Sequence, residues 1–300
     1  GTQHQTRLPL LLTELPELEG GGSKNLSTMA KKETHKQDLI TLFNGWAETG
    51  DTEALTDYLV SNSNLPGRRA NLELAEVFAD GVADYCQRGG ADSAWELCFA
   101  MTQVSADEAP VNDPREFLPF CATVGIGAVG SVSPPCYEPA IVALRRLAGD
   151  PRWRMREAVR TGLQRLLAAR GQDTLRALAG WVAGGDLLEM RAAAAAVAEP
   201  SLLNDAVMAR SGLRLHQEIF DQLLQIEDRK TEAFRILRKA LGYTLSVVVY
   251  ALPDAGFEYM AHLIDTQDSD VRWIVKENLK KNRLAKNYPE EVKTMKELMT

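Results

Sequence analysis

Histidine and cysteine are scarce, with four of each in 300 residues. Cys86, Cys98, Cys121 and Cys136 stand 12, 23 and 15 positions apart, with no Cys-x-x-Cys and no histidine pair nearby. That spacing suits neither a zinc site nor a redox dithiol, so buried free thiols in a reducing compartment are expected. His216 has no second histidine within ligand spacing, which leaves it a structural role. No run approaches the roughly 20 apolar residues that cross a bilayer, and no charged-then-apolar leader opens the chain. The expectation is a soluble, cytoplasmic protein with no membrane partner. No nucleophile, base and orienting group stand at recognisable spacing, so the chain reads as a non-enzyme that needs neither cofactor nor metal.

One string imitates chemistry. Gly125-Ile-Gly127-Ala-Val-Gly130 follows an apolar run, and Asp150 comes twenty positions later, which formally matches a dinucleotide-binding fingerprint. That fingerprint requires a strand turning into a long helix. Here Pro134 and Pro135 follow within five residues, and Ile141, Leu144 and Leu147 lie at helical spacing before Asp150. Close packing of a helix through small residues is the better expectation.

What the chain does contain is a repeat. Asp150 and Pro151 suit the start of a helix, since aspartate caps free amides and proline fits the first turn. Met155, Ala158, Val159, Gly162, Leu163, Leu166 and Leu167 then recur at three- and four-residue steps, which predicts one apolar face. Gly171 closes this helix. Asp173 opens a partner with Leu175, Leu178, Ala179 and Val182, ending at Gly184 and Gly185. A further unit opens at Asp186, so Arg156 to Arg191 is one step of 35, and Asp268 to Leu279 echoes it. A pair of this size cannot bury its faces alone, so copies are expected to stack. The string Asp150-Pro-Arg-Trp153-Arg-Met-Arg156-Glu-Ala-Val159 resembles the signature of HEAT repeats over residues 149–199 and 267–284. The resemblance implies an all-α, right-handed α-α superhelix, a HEAT-like, armadillo-like solenoid of about six hairpins. It also implies that Asp150, Arg156 and Arg191, with Asp268 and Arg272, form an internal ladder between neighbouring units.

Elsewhere the rhythm is helical without the signature. Leu39, Leu42, Phe43 and Trp46 predict a helix before the turn at residues 48–51, and Ser61 to Gly67 reads as a loop preceding Arg68 and Arg69. Ser105 to Pro114 is a second loop. Asn204 to Met208 and Leu213 to Ile226 read as two helices, Thr231 to Tyr250 as a long one, and the mixed charges after Lys276 as a solvated cap. Residues 1–28 form a separate tail. Thr6 to Glu19 is leucine-rich and broken by Pro9 and Pro16, Gly20 to Ser23 reads as a linker, and Met29-Ala-Lys-Lys resembles a natural start. The tail is either a fused segment or a native one whose leucines dock on a groove. Residues 29–300 are expected to be a single helical repeat domain.

Charge is unevenly spread. Residues 1–144 hold 9 basic and 20 acidic side chains (net −11), and 145–300 hold 25 and 21 (net +4). An acidic whole argues against a general nucleic-acid binder. Between Arg145 and Arg176 nine arginines face three acids, a local net of +6. Those outside the repeat signature, Arg145, Arg146, Arg160, Arg165, Arg170 and Arg176, are the candidates for a partner-facing surface. The expected function is a non-enzymatic scaffold that grips a protein or peptide. The alternative is a DNA-binding repair protein, because alkylpurine DNA glycosylases also resemble stacks of HEAT-type hairpins. That resemblance implies Trp and Asp side chains on a basic concave face, for which the nearest pair here is Trp153 and Glu157.

Overall fold

Apolar residues at helical spacing fall on one face of nearly every amphipathic stretch, and each stretch folds as a helix. The computed structural model describes residues 21–300, and side chains from residue 30 onward. The helices are α1 (Gly21–Thr49), α2 (Glu53–Ser61), α3 (Leu72–Tyr85), α4 (Ala91–Met101), α5 (Phe117–Val132), α6 (Tyr137–Ala148), α7 (Trp153–Ala169) and α8 (Gly171–Ala183). They continue as α9 (Leu187–Val197), α10 (Pro200–Leu203), α11 (Ala206–Leu224), α12 (Glu232–Ala251), α13 (Pro253–Asp265), α14 (Ser269–Leu279), α15 (Asn282–Ala285) and α16 (Pro289–Glu297). Among the described residues there is no strand, and no helix is long and apolar enough to cross a membrane.

The packing partners sort the helices into two rows. In the first, α1 packs on α3, α3 on α5, α5 on α7, α7 on α9, α9 on α12 and α12 on α14. The second row holds the intervening helices, with α6 against α8 and α8 against α11. Three first-row pairs, α1 with α3, α5 with α7 and α12 with α14, run parallel. On α1, His35 lies beside Asn71 at the start of α3, Phe43 beside Phe78, and Trp46 beside Tyr85. The same register recurs where Arg238, Gly242 and Ser246 of α12 meet Asp270, Trp273 and Asn278 of α14.

Helix α5 is the centre of the packing. It touches α2, α3, α4, α6 and α7, and from Phe117 to Gly130 only Leu118 escapes full burial. Its three glycines are therefore helical, and the dinucleotide loop is absent. Their lack of a side chain is used for closeness: a Cβ on Gly127 would lie 2.5 Å from Gly162 Cα of α7, and one on Gly130 would lie 2.6 Å from Ala140 Cβ. The two-residue separation of Gly125 and Gly127 places Gly125 on another side, against Cys98 Sγ and Phe78.

Several boundaries differ from expectation. Helix α7 starts at Trp153, because Asp150 Oδ1 accepts from the Arg152 amide and holds Arg152 extended (ψ 124°). Asn204 to Ile226 yields one helix, α11, instead of two. Gly212, between the two expected segments, lies inside that helix with its bare Cα near Leu203 and Val248. Of the expected 1–28 tail, residues 1–20 lie outside the described residues, as does the leucine-rich segment. Residues 21–28 belong to α1, including most of the glycine-serine stretch read as a linker.

Candidate functional site

A cleft of about 420 Å³ opens over α5, between the start of α3 and the start of α7. Its floor is Phe120 and Val124 of α5, one wall carries Leu72 and Ala75, and the other carries Trp153, Glu157, Arg160 and Thr161. The spacing 153, 157, 160, 161 is one stripe of α7, which explains why these side chains share a direction. Arg68 and Arg69, from the loop before α3, form the rim. Two large apolar side chains remain exposed at this opening, Leu72 at 52% and Trp153 at 44%. The Arg154 guanidinium stacks on the indole, 4.4 Å from the ring centre.

The ion pairs around the cleft determine its charge. Glu76 on α3 is held by Arg165 of α7, which also meets Asp80 at 2.8 Å. Burial would lower the Arg165 pKa, but Glu76 and Asp80 outweigh it and the net shift is upward. Glu157 is held by Arg191 of α9 and lies 3.4 Å from Arg160. The lining thus contains Arg68, Arg69, Arg154 and Arg160 against Glu76 and Glu157, a net of +2. Both acids are engaged by neighbouring helices, while Arg68 and Arg69 form no salt bridge to any described residue.

Two arginines of the signature region serve the scaffold behind the cleft. Arg154 is 3% exposed and pairs with Glu116, which is fully buried, and it also donates to Gly67 O and Asn112 Oδ1. Arg152 salt-bridges Asp150 and donates to the carbonyls of Val104, Ser105 and Ala109. The Ser105–Pro114 loop is therefore fastened to α7 by side chains. Sequence reasoning missed this, because Glu116 and its partner stand 38 positions apart.

The six candidate arginines do not form one surface. Arg160 alone lines the cleft, with Arg165 behind it bracing α3. Arg145 pairs with Glu189 at 2.8 Å, and Arg146 stacks over Phe99 of α4. Arg170 covers the Tyr137 ring and meets Asp173, which also engages Arg176 on α8. The residues expected to form a ladder bond mainly to other groups, and among them only Arg191 and Arg156 are joined from one unit to the next. Arg156 donates to the carbonyls of Asp150 and Pro151, and Arg191 donates to Arg156 O at 2.8 Å. The Asp150 carboxylate instead belongs to Arg152. Asp268 caps α14 and binds Arg229, whereas Arg272 donates to Met299 O near the chain end.

The remaining reactive groups are quiet. All four cysteines are buried and free, and burial pushes the Cys86 thiol up to about 11, which suppresses thiolate chemistry. Among the described residues no group of three or more His, Cys, Asp or Glu side chains is placed to hold a metal ion. His216 is fully buried between Gly212 O and Thr244 Oγ1. Comparison of the chain with protein-family models, with curated proteins and with solved structures finds no match.

Proposed function

We propose that the protein is an interaction module, a HEAT-like solenoid that captures a protein or peptide partner in the cleft over α5. The row of seven helices, each packed on the next, supports a solenoid with one hairpin more than the six expected. The observation that carries the binding reading is the pairing of two exposed apolar side chains, Leu72 and Trp153, with an arginine rim at one opening. Aromatic and arginine side chains around a desolvated pocket are the usual anchors of an interface. An apolar side chain flanked by carboxylates is the complementary ligand. The reading includes no catalytic step.

The test is capture from a cell extract by the full chain and by its Arg69→Glu/Arg160→Glu double variant. The variant is expected to lose at least tenfold in capture with an unchanged melting temperature, because both side chains sit at the surface of the cleft. Arg176→Glu, on α8, is expected to change nothing. Equal capture by all three chains would sink the reading.

One observation favours a DNA-handling reading, the alternative drawn from alkylpurine DNA glycosylases: Trp153 and Glu157 stand one helical turn apart in this same cleft. Duplex DNA binding that weakens steeply with salt, and is lost in Trp153→Ala, would transfer the proposal there. Glu76, which lines the cleft, and Asp80, which shares Arg165 with it, oppose a polyanion.

A further inference from the structure

A second opening shares no lining residue with the cleft over α5. It is a groove of about 440 Å³ over the C-terminal half of α12, with Val247 and Tyr250 in its floor. Helices α9 and α14 pack along α12, and each is followed by a short helix, α10 and α15. Pro200 and Asn204, at the two ends of α10, form one wall, and Arg283 of α15 forms the other.

Two aromatic rings stand open along this helix, Tyr243 and Tyr250, each 45% exposed. Seven residues apart, they are separated by about 10.5 Å along the axis and by only about 20° around it. Each ring is held in place. The Arg283 guanidinium lies over the Tyr243 ring, 4.9 Å from its centre, and donates to its hydroxyl at 3.1 Å. Tyr250 meets Tyr288 edge-on with ring centres 6.0 Å apart, and Tyr288 packs in turn on Phe257. Rings fixed in this way lose little freedom when a ligand stacks on them.

The charge here is positive. Lys280 to Lys286 carries four cations and no acid, and among the described residues only Lys280 has a carboxylate partner, Glu277. Lys281 Nζ stands 6.0 Å from the centre of the Tyr243 ring. The acids that flank α10, Glu199 and Asp205, are engaged as helix caps. A long polyanion would meet the field of a chain that is net −7, whereas a short acidic segment meets only these local cations.

The tyrosine spacing matches one backbone form. Polyproline II has three residues per turn and rises about 3.1 Å per residue, so like residues recur along one edge every 9.3 Å or so. Its carbonyls have no internal partner, and the Asn204 amide and the tyrosine hydroxyls are donors at the groove. Aromatic-lined grooves take such segments because the chain is ordered before it binds.

We infer that the groove over α12 receives a proline-rich acidic peptide segment in polyproline II form, with prolines on Tyr243 and Tyr250 and carboxylates towards Lys281 and Arg283. This site is independent of the α5 cleft and stands or falls without it.

The test titrates the full chain into labelled synthetic peptides and reads fluorescence anisotropy. Repeated Pro-Pro-Glu, about nine residues and about 28 Å long, is expected to bind saturably, and repeated Ser-Ser-Glu or Pro-Pro-Lys at least tenfold more weakly. Tyr250→Ala and Arg283→Glu are each expected to weaken binding at least tenfold, while Arg69→Glu/Arg160→Glu, in the other cleft, binds as the native chain does. If Tyr250→Ala melts early, Arg283→Glu decides. No saturable binding would overturn the inference, and so would equal binding of Ser-Ser-Glu, which would reduce the site to charge. Tighter binding of a single-stranded oligothymidylate would overturn it in favour of nucleic acid. Loss in Arg69→Glu/Arg160→Glu with retention in Arg283→Glu would overturn it by moving the peptide to the α5 cleft.

Discussion

At His216 both ring nitrogens are engaged, one by Gly212 O of α11 and the other by Thr244 Oγ1 of α12, and burial lowers its pKa to about 4 from an ordinary 6.5. The folded state thus resists protonation more than the unfolded chain does. Above pH 6.5 both states are neutral here and the site contributes no pH dependence. As pH falls from 6.5 towards 4, the unfolded state gains a proton first and stability is lost. The shift corresponds to about 3 kcal/mol at full development. Urea midpoints measured at pH 7 and pH 4.5 should show this fall in the native chain, and His216→Gln should flatten it. A slope unchanged by the substitution would assign the loss to other groups. The role of His216 was legible, since it borders an apolar face and has no second histidine. Arg152 and Arg154 were less so, because a run of arginines does not reveal which of them turn inward. That depended on acceptors at Val104, Ser105, Ala109 and Glu116, more than 35 positions away.

Helix α5 meets α7 without side chains between them at Gly127 and Gly162. Gly127→Ala would force a methyl group against the Gly162 backbone, which cannot retreat without moving α7. A loss of about 3 kcal/mol, the upper end of overpacking costs, is expected. Gly180 in α8 is the opposite case. No atom lies within 4 Å of its Cβ position, so Gly180→Ala should raise stability by about 0.5 to 1 kcal/mol through helix propensity alone. Calorimetric melting of the two variants checks both signs, and a neutral Gly127→Ala would mean that the crossing is looser than described. Helices such as α7 and α12 were readable because their apolar residues repeat at 3.6-residue spacing. The boundary at Trp153 was not, because Asp150-Pro151 has the composition of a cap while its carboxylate engages the next arginine. The glycines of α5 were readable as close packing, though their partner was not.

Across the whole molecule, burial is greatest in the middle. Amide exchange should therefore be slowest in α5, which five helices (α2, α3, α4, α6 and α7) touch, and fastest in α15 and α16, which pack on few neighbours. Mass-resolved hydrogen exchange would show the ordering, and an α5 that exchanges as fast as α16 would contradict it. The two-row stack was partly legible from the 35-residue step. The cleft was not: Arg68, Arg69 and Leu72 lie some 80 positions before Trp153, and no local pattern links them. Stacking α3 beside α5 and α7 creates the site.

The ion-paired Arg154 also donates to Gly67 O across 87 positions of sequence, past the whole of α5 and α6. Regarded as a mechanical part, this side chain is a strut in parallel with the backbone. Tension applied at the two ends of the chain would pass through Arg154 and its buried Glu116 before loading α5. The middle of the array is then a stiff plate, and the outer helices are compliant arms that peel first.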